Sequence, residues 1–405
     1  MTERTVTRRS HAATSLVLLA VSLAALAVLF AVLGVQTPDA QVYRAEGAAV
    51  LHGGDLYGLT VTEGRLPATY PPFAAVLFAP AAALSVPATQ VAFFAANALL
   101  LAWLVSLSAR LAGRRASPAA LCVATALALW LEPVFQTFVY GQINLALACL
   151  VLWDLTRPPG ARGRGAAVGA AAGIKLTPGL FVVYLLLRGR LREAATATAA
   201  FAVTVAVGAL ALPSASVQYW TRLVLDTGRV GKPWIIDNQS LQGLVARALR
   251  DPSPGAAWLL PACAAAVAGL WLARRAPRER WGVLLTGMTA LLVSPISWSH
   301  HWVWCVPLLA VLLAEGRRGW AAVTAVCFTA RTMWLVPRAG DGDLHLAWWQ
   351  QILAAPYALL TLALLIAAAA GAFRDVGGRP GRAAAEPAAA STAPSQDDPS
   401  GSGPP

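Results

Sequence analysis

Two adjacent histidines, His300 and His301, interrupt an otherwise apolar part of the chain. They lie in the segment 294–304, SPISWSHHWVW, between the apolar runs 281–293 and 303–314. Imidazole is unfavourable in hydrocarbon, so histidines at such a depth usually face a cavity or a partner. Trp298 alone is equally typical of the aromatic belt at a membrane surface. The histidine pair favours a site, and neutral imidazole suits a base near pH 7.

The spacing of the two histidines limits how they can share this site. Neighbouring positions on a helix point about 100° apart, so we expect at most one of His300 and His301 to face a given cavity directly. Sequence alone does not say which one.

A carboxylate, Asp39, follows the first apolar run in the segment TPDAQVYR, residues 37–44. The preceding Pro38 favours the start of a helix. Asp39 therefore either stabilises that helix end through the dipole or serves as a general base. Its position leaves both interpretations open.

Amides and tyrosines offer groups that bind sugar hydroxyls. Gln142 and Asn144 open a helix at an expected outer surface, where they bind hydroxyls or cap the helix. A second amide pair, Asn238 and Gln239, lies in the long outer segment 213–254. Tyr70 precedes two prolines that fix the backbone, which indicates a rigid anchor more than a substrate contact.

Lys175 lies inside the apolar run 166–187, directly before Leu-Thr-Pro. A lysine is among the most unfavourable residues in a membrane interior. It either extends to the cytoplasmic surface or pairs with a phosphate. If the basic linkers lie inside, Lys175 lies on the cytoplasmic side, and we expect another cation to bind a phosphate at the outer face. Arg331 lies in an apolar run and has the greatest need of an anionic partner. The candidates are Arg222, Arg229, Lys232, Arg247 and Arg331.

These residues belong to a chain that composition assigns to the membrane. Of its 405 residues 58% are hydrophobic and 12% are charged. Apolar runs recur from residue 14 to residue 371, which predicts an all-α polytopic membrane protein. The run 12–35 is too long for the core of a signal peptide and is interpreted as the first span.

Charge and cysteine content exclude several other classes. The net charge of +12 is concentrated in short linkers, as the positive-inside rule expects for cytoplasmic loops, so no nucleic-acid partner is predicted. The five cysteines are scattered and show no CxxC spacing, so they indicate neither a disulfide framework nor a metal site. No cofactor is expected, and assistance by a divalent metal is left open.

Placing the basic linkers inside predicts about ten full transmembrane helices with both termini cytoplasmic. Two runs, 72–84 and 166–187, do not fit as simple spans and are assigned to broken or re-entrant helices that line a cavity. We expect a cytoplasmic N-terminus over residues 1–11, a membrane-embedded domain over 12–371, and a disordered cytoplasmic tail over 372–405.

An ordered set of short motifs resembles glycosyltransferase family 87, over roughly residues 14 to 370. These enzymes are polyprenyl-phosphate-mannose-dependent α-1,2-mannosyltransferases of the membrane C-type glycosyltransferase fold. Each motif is weak alone, but their order is specific. The motifs are Asp39 with VY at 42–43, GDLY at 54–57, TYPPF at 69–73, GQINL at 141–145, GIKLTP at 173–178, NQS at 238–240 and SPISWSHHW at 294–302.

The resemblance implies an inverting transfer of mannose from polyprenyl-phosphate-mannose to a glycolipid or lipoglycan hydroxyl, at the outer face of the plasma membrane. A phosphate leaving group needs no protonation, so the reaction needs one general base and groups that stabilise the phosphate. Asp39, His300 and His301 form the predicted catalytic group, with their roles left open. The predicted substrate-binding residues are Tyr43, Tyr70, Gln142, Asn144, Asn238, Gln239, Trp298, Arg331 and Lys175.

A membrane transporter for a sugar or a lipid-linked sugar is the alternative, because broken helices and intramembrane polar groups also mark substrate pathways. Transporters of this kind usually contain an internal repeat, and none is evident in the sequence. The enzyme is therefore the preferred prediction.

Overall fold

The computed structural model describes residues 2–373, with side chains from residue 12 onward. The predicted disordered tail lies, from residue 374, outside the described residues. The described chain is mostly helical, and its strands β1 (Thr60–Val61) and β2 (Leu66–Pro67) form a short antiparallel hairpin. The eighteen α-helices of the described chain are α1 (Thr2–Val32), α2 (Pro38–His52), α3 (Pro72–Phe78), α4 (Val86–Leu111), α5 (Pro118–Ala128), α6 (Glu132–Tyr140), α7 (Asn144–Leu155), α8 (Ala166–Ile174), α9 (Leu180–Leu187), α10 (Leu191–Ala211), α11 (Pro213–Gln218), α12 (Leu241–Leu249), α13 (Ala256–Arg275), α14 (Glu279–Val293), α15 (Cys305–Ala314), α16 (Arg318–Thr329), α17 (Trp348–Ala354) and α18 (Pro356–Ala369).

Short 3₁₀ helices connect several of these elements, and one π-helical turn follows α11. The 3₁₀ helices span Ala79–Ala83, Thr177–Gly179, Thr227–Val230, Ser299–Trp304, Thr332–Leu335 and Gly342–Leu344, and the π-helical turn spans Tyr219–Leu223.

Four helices in the described part of the chain are long and apolar enough to cross a membrane, or up to six if two bent pairs each count as one span. The predicted number of about ten transmembrane helices is therefore not confirmed. Several apolar helices have only 10–17 residues, too few to cross a bilayer core of about 30 Å alone. The four long helices are Ala12–Val32, Val86–Leu111, Leu191–Ala211 and Ala256–Arg275.

Both segments that the sequence assigned to broken helices are interrupted in the structure. In the first, α3 gives way to the 3₁₀ helix Ala79–Ala83. In the second, α8 ends at Lys175, whose backbone is extended with φ −149° and ψ 130°, before Thr177–Gly179 and α9. Pro178 has no N–H to continue the helical pattern, which favours a break here. The break turns residue 175 out of the helix.

The histidine segment is buried at the centre of the molecule. The 3₁₀ helix Ser299–Trp304 packs against α6, α7, α14 and α15. Its Trp302 is fully buried, and its indole stacks at an angle on Tyr357 of α18, with ring centroids 5.7 Å apart. The surrounding apolar helices therefore hold the backbone of the histidines in place.

Candidate active site

One cavity of about 390 Å³ opens between α2, the β-hairpin, the break at residue 175 and the segment 294–301. Asp39, Lys175, His300 and His301 all line it. Side chains from distant parts of the sequence thus meet in one place, and the expected catalytic group shares a single cavity.

The side-chain amide of Gln142, in the connection between α6 and α7, holds the Asp39 carboxyl. Gly141, with φ 69°, packs so closely on α2 that a Cβ at this position would lie 2.7 Å from Cβ of Ala40. This approach brings Gln142 to Asp39, and Gln142 Nε2 donates a hydrogen bond of 2.6 Å to Asp39 Oδ2. The helix end itself receives no side-chain capping bond, with Thr37 as N-cap. The carboxylate therefore faces the cavity instead of capping the helix.

Gln142 is the centre of a hydrogen-bond network. Its Oε1 accepts bonds from the hydroxyls of Tyr43 at 2.9 Å and Tyr70 at 3.1 Å. Asn144 Nδ2 lies 3.3 Å from the same oxygen. Because both tyrosine hydroxyls converge on the acceptor end of the amide, its donor end is directed to Asp39. Tyr43 and Tyr70 thus orient Gln142 and also line the cavity.

Lys175 lies at the other side of this network. Its Nζ is 2.8 Å from Nε2 of His301, 3.2 Å from Oδ1 of Asn144 and 3.4 Å from the hydroxyl of Tyr70. An ammonium group has no acceptor, so it donates to Nε2, and His301 then carries its proton on Nδ1. The expectation that Lys175 lies away from the outer residues is wrong, because the extended backbone at residue 175 directs the side chain into the cavity.

Both histidines line the same cavity, which corrects the expectation that at most one would. They lie in a 3₁₀ turn, and their rings are perpendicular with centroids 4.8 Å apart. The buried Nε2 atom of His300 has no hydrogen-bond partner among the described residues, and the His300 ring lies 5.1 Å from that of Tyr140. His300 thus has a free nitrogen for a ligand, and Trp298 lines the cavity beside it.

The protonation of Asp39 suits a base. Burial raises the pKa of its carboxyl to about 6, against the lowering effects of the Gln142 hydrogen bond and the Lys175 charge. Asp39 is then mostly ionised at pH 7 and more basic than an ordinary carboxylate. In the described part of the chain its Oδ1 accepts no hydrogen bond, so that oxygen is available to a hydroxyl.

No group of three or more His, Cys, Asp or Glu side chains among the described residues is arranged to hold a metal ion.

Asn238 and Gln239 do not face the cavity, in contrast to their expected substrate contact. Both are fully buried. Asn238 Oδ1 accepts from the Ser297 N–H at 2.9 Å, and Asn238 Nδ2 donates to the Pro295 carbonyl at 3.1 Å. Gln239 Nε2 donates to the Ala354 carbonyl at 2.7 Å. The Asn238 side chain fastens the segment before α12 to the histidine segment, and the Gln239 side chain fastens it to α17.

Arg331 and the other cations expected to bind the phosphate lie elsewhere, since none of the five lines this cavity. The guanidinium of Arg331 lies over the rings of Phe135 at 4.4 Å and Trp334 at 4.8 Å. Arg247 is buried and donates to backbone carbonyls, as Arg229 also does. Among the described residues, Lys175 is the one lysine or arginine that lines this cavity.

Glu46 is a cavity residue that the sequence analysis did not select. It lies on α2, is 2% exposed and lines the same cavity as Asp39. The sequence does contain a signal for Glu46: it follows Asp39 by seven residues, which places both carboxyls on the same face of a helix.

The sequence is similar to proteins of known family. Residues 68–295 match the model of glycosyltransferase family 87. The chain is 35% identical over 362 residues to a polyprenol-phosphate-mannose-dependent alpha-(1-2)-phosphatidylinositol mannoside mannosyltransferase of Mycobacterium tuberculosis, covering 82% of this chain and 84% of the relative. It is also 35% identical over 383 residues to a polyprenol-phosphate-mannose-dependent alpha-(1-2)-phosphatidylinositol pentamannoside mannosyltransferase of the same species, covering 88% and 87%.

A solved structure gives a weaker likeness. It is ArnT from Cupriavidus metallidurans bound to undecaprenyl phosphate, with a TM-score of 0.42 and 16% identity over 91% of this chain and 78% of that chain. The matched family model and the relatives along most of the chain confirm the resemblance found in the sequence: the chain belongs to glycosyltransferase family 87.

Proposed function

We propose that this protein transfers mannose from polyprenol-phosphate-mannose to a hydroxyl of a phosphatidylinositol mannoside and forms an α-1,2 bond. The observation that carries the proposal is the single cavity in which the Asp39 carboxylate and the Lys175–His301 pair lie together. The printed activity of relatives that are 35% identical supports the choice of donor and acceptor.

Asp39 serves as the general base in this reaction. The acceptor oxygen attacks C1 of mannose while its proton moves to the Asp39 carboxylate, and the bond between C1 and the phosphate oxygen breaks. The electron pair of that bond leaves with the lipid phosphate, so the phosphate needs no proton. Gln142 holds Oδ2 by its 2.6 Å bond, which leaves Oδ1 to face the acceptor hydroxyl. Attack opposite the leaving group converts a β-linked donor into an α-linked product.

Lys175 and the histidines bind the lipid phosphate. The Lys175 ammonium and the unpartnered Nε2 of His300 are groups that a phosphate oxygen can contact. A charge-assisted bond from an ammonium to phosphate is stronger than its bond to a neutral imidazole, so an arriving phosphate competes well for Lys175. Placed at the breaking bond, these donors stabilise the charge that develops on the leaving phosphate.

Membership of a glycosyltransferase family favours this enzyme over the membrane transporter. The apolar helices are those of a membrane protein, and we place the cavity at the outer face of the plasma membrane. The concentration of arginines in the linkers 110–115, 157–164 and 274–280 supports this orientation, because basic loops stay in the cytoplasm.

Purified protein in detergent tests the proposal directly. We expect transfer of labelled mannose from a short-chain polyprenyl-phosphate-mannose to a phosphatidylinositol mannoside, with an α-1,2 linkage in the product, and no transfer from GDP-mannose. A preference for GDP-mannose, or a product with a β linkage, would contradict the donor or the inverting chemistry.

A further inference from the structure

A second carboxyl, that of Glu46, lines the same cavity as Asp39. Glu46 is 2% exposed, and its Oε2 is buried and accepts no hydrogen bond from any described residue. Leaving a buried polar group unsatisfied destabilises a protein, so such groups usually have a ligand or a water as partner. The carboxyl therefore has unused hydrogen-bonding capacity that faces the site.

The position of Glu46 relative to Asp39 is fixed by one helix. The two residues are seven positions apart on α2, which corresponds to about 10 Å along the helix axis on the same face. α2 is held in place by α3 and by the close packing of Gly47, where an added Cβ would lie 2.3 Å from the Phe78 carbonyl oxygen. A single pyranose ring is shorter than this rise along the helix, so a group bound at Asp39 and a group bound at Glu46 belong to different sugars.

The surroundings of Glu46 match a sugar more than a phosphate. Burial and the charge of Asp39 raise the pKa of Glu46 to about 8, against the lowering effect of Arg229. The guanidinium of Arg229 is already occupied by the carbonyls of Ala68 and Thr69, at 2.6 and 2.9 Å. At pH 7 the Glu46 carboxyl is therefore mostly protonated, and it can both donate and accept hydrogen bonds, as sugar hydroxyls require.

Tyr219 supplies a ring at this part of the cavity. It lines the cavity, and its ring stacks on Tyr57 with centroids 5.8 Å apart, under the guanidinium of Arg229. Aromatic rings pack well against the apolar faces of sugars. The lysine and histidines, which suit the phosphate, are connected to Asp39 through Asn144 and Gln142.

We infer that Glu46 binds the acceptor glycan, by hydrogen bonds to hydroxyls of the sugar next to the one that receives mannose at Asp39. This inference rests on the proposed function and adds a specificity-determining residue to it. The subsite selects acceptors that carry at least two sugars, because a single mannose at Asp39 does not reach Glu46.

Two synthetic acceptors separate this subsite from the reaction centre. Octyl mannosides with one or two mannose residues are compared in KM, with a short-chain polyprenyl-phosphate-mannose as donor. Loss of one hydrogen bond predicts that Glu46→Leu raises the KM of the two-mannose acceptor about 3–10-fold. The KM of the one-mannose acceptor and of the donor should stay within about twofold, and Glu46→Gln, which keeps a donor and an acceptor, should behave nearly as the wild type.

The controls keep the result interpretable. Glu63→Gln changes an exposed carboxylate of the hairpin turn and should alter neither KM. If Glu46→Leu does not yield folded protein by size-exclusion chromatography, Glu46→Ala takes its place, since it adds no bulk. An equal rise of KM for both acceptors, a rise for the donor alone, or no change would overturn the inference. Wild-type protein that transfers no mannose from the lipid donor to a phosphatidylinositol mannoside would instead contradict the proposed function.

Discussion

Among the described residues, only Gln142 donates a hydrogen bond to the Asp39 carboxyl, and this bond adjusts its protonation near neutral pH. Gln142 donates to Oδ2 at 2.6 Å and opposes the effect of burial, and the resulting pKa of Asp39 is about 6. Gln142 itself is oriented by the hydroxyls of Tyr43 and Tyr70. The basicity of Asp39 therefore depends on three residues that do not take part in proton transfer.

Gln142→Leu should shift the pH profile of kcat/KM. Removing the amide raises the Asp39 pKa above about 6, and a base acts only when deprotonated, so the acidic limb should move to higher pH. Activity should fall at pH 6–7 and recover toward pH 8. Gln90→Leu, which changes an amide bonded to the Gln36 carbonyl, should leave the profile unchanged. An unshifted limb in Gln142→Leu would mean that another group titrates.

Lys175→Met should impair use of the lipid donor. A charge-assisted hydrogen bond contributes about 1.5–3 kcal/mol, so we expect a loss of roughly 10–100-fold in kcat/KM for the donor. The KM of the acceptor should change little. Steady-state kinetics measure both constants.

Lys232→Met is the matched control for this prediction. Lys232 is the other of the two lysines in the sequence, and it is exposed and lies outside the cavity. Unchanged donor kinetics in Lys175→Met would show that the phosphate is bound elsewhere.

At the scale of elements, two features position these side chains. The break between α8 and α9 presents Lys175 to the cavity, and the 3₁₀ helix Ser299–Trp304 presents both histidines. The segment before α12 holds the second element in place through Asn238, whose side chain bonds to the backbone of Pro295 and Ser297. Asn238 thus acts on the site through the backbone of the histidine segment.

Asn238→Leu should destabilise the protein instead of weakening acceptor binding selectively. The substitution leaves the buried Ser297 N–H without its acceptor, at a cost of about 1–3 kcal/mol, while the Pro295 carbonyl keeps the bond from the Ser240 hydroxyl. We expect a lower thermal midpoint and similar losses with donor and acceptor. Gln242→Leu in the adjoining helix α12 removes an amide oxygen that has no hydrogen-bond partner among the described residues, so it should be tolerated far better. A selective rise of acceptor KM with normal stability would return Asn238 to substrate binding.

At the scale of the whole molecule, the sequence predicted the fold class better than it predicted which side chains meet in space. Apolar runs identified a helical membrane protein, and Lys175 before Leu-Thr-Pro correctly located a helix break. The positive-inside rule, applied to the basic linkers, placed Lys175 and Asp39 at opposite surfaces, whereas the extended backbone at residue 175 brings both side chains into one cavity. The burial of Asn238 depends on long-range hydrogen bonds, which composition and periodicity do not encode.

Accessibility labelling of single cysteines tests the orientation of the molecule. Cysteines at the exposed positions Asp55 and Lys232 should react with an impermeant reagent from outside intact cells. Cysteines at Arg115, Arg162 and Arg318 should react only after the cells are opened. The native cysteines are replaced in the parent protein, which serves as the control. Labelling of position 55 only in opened cells would reverse the proposed orientation.

The central claim is that the Asp39 carboxylate deprotonates the acceptor, and Asp39→Asn tests it most directly. Asparagine keeps the shape and can still start a helix, but it lacks the charge. At equal amounts of folded protein, mannose transfer from the lipid donor should fall about 10²–10⁴-fold, the usual effect of losing a general base. Asp55→Asn, in an exposed turn, should remain active. Near-normal turnover of Asp39→Asn would contradict the claim and leave His300 and His301 as the candidate bases.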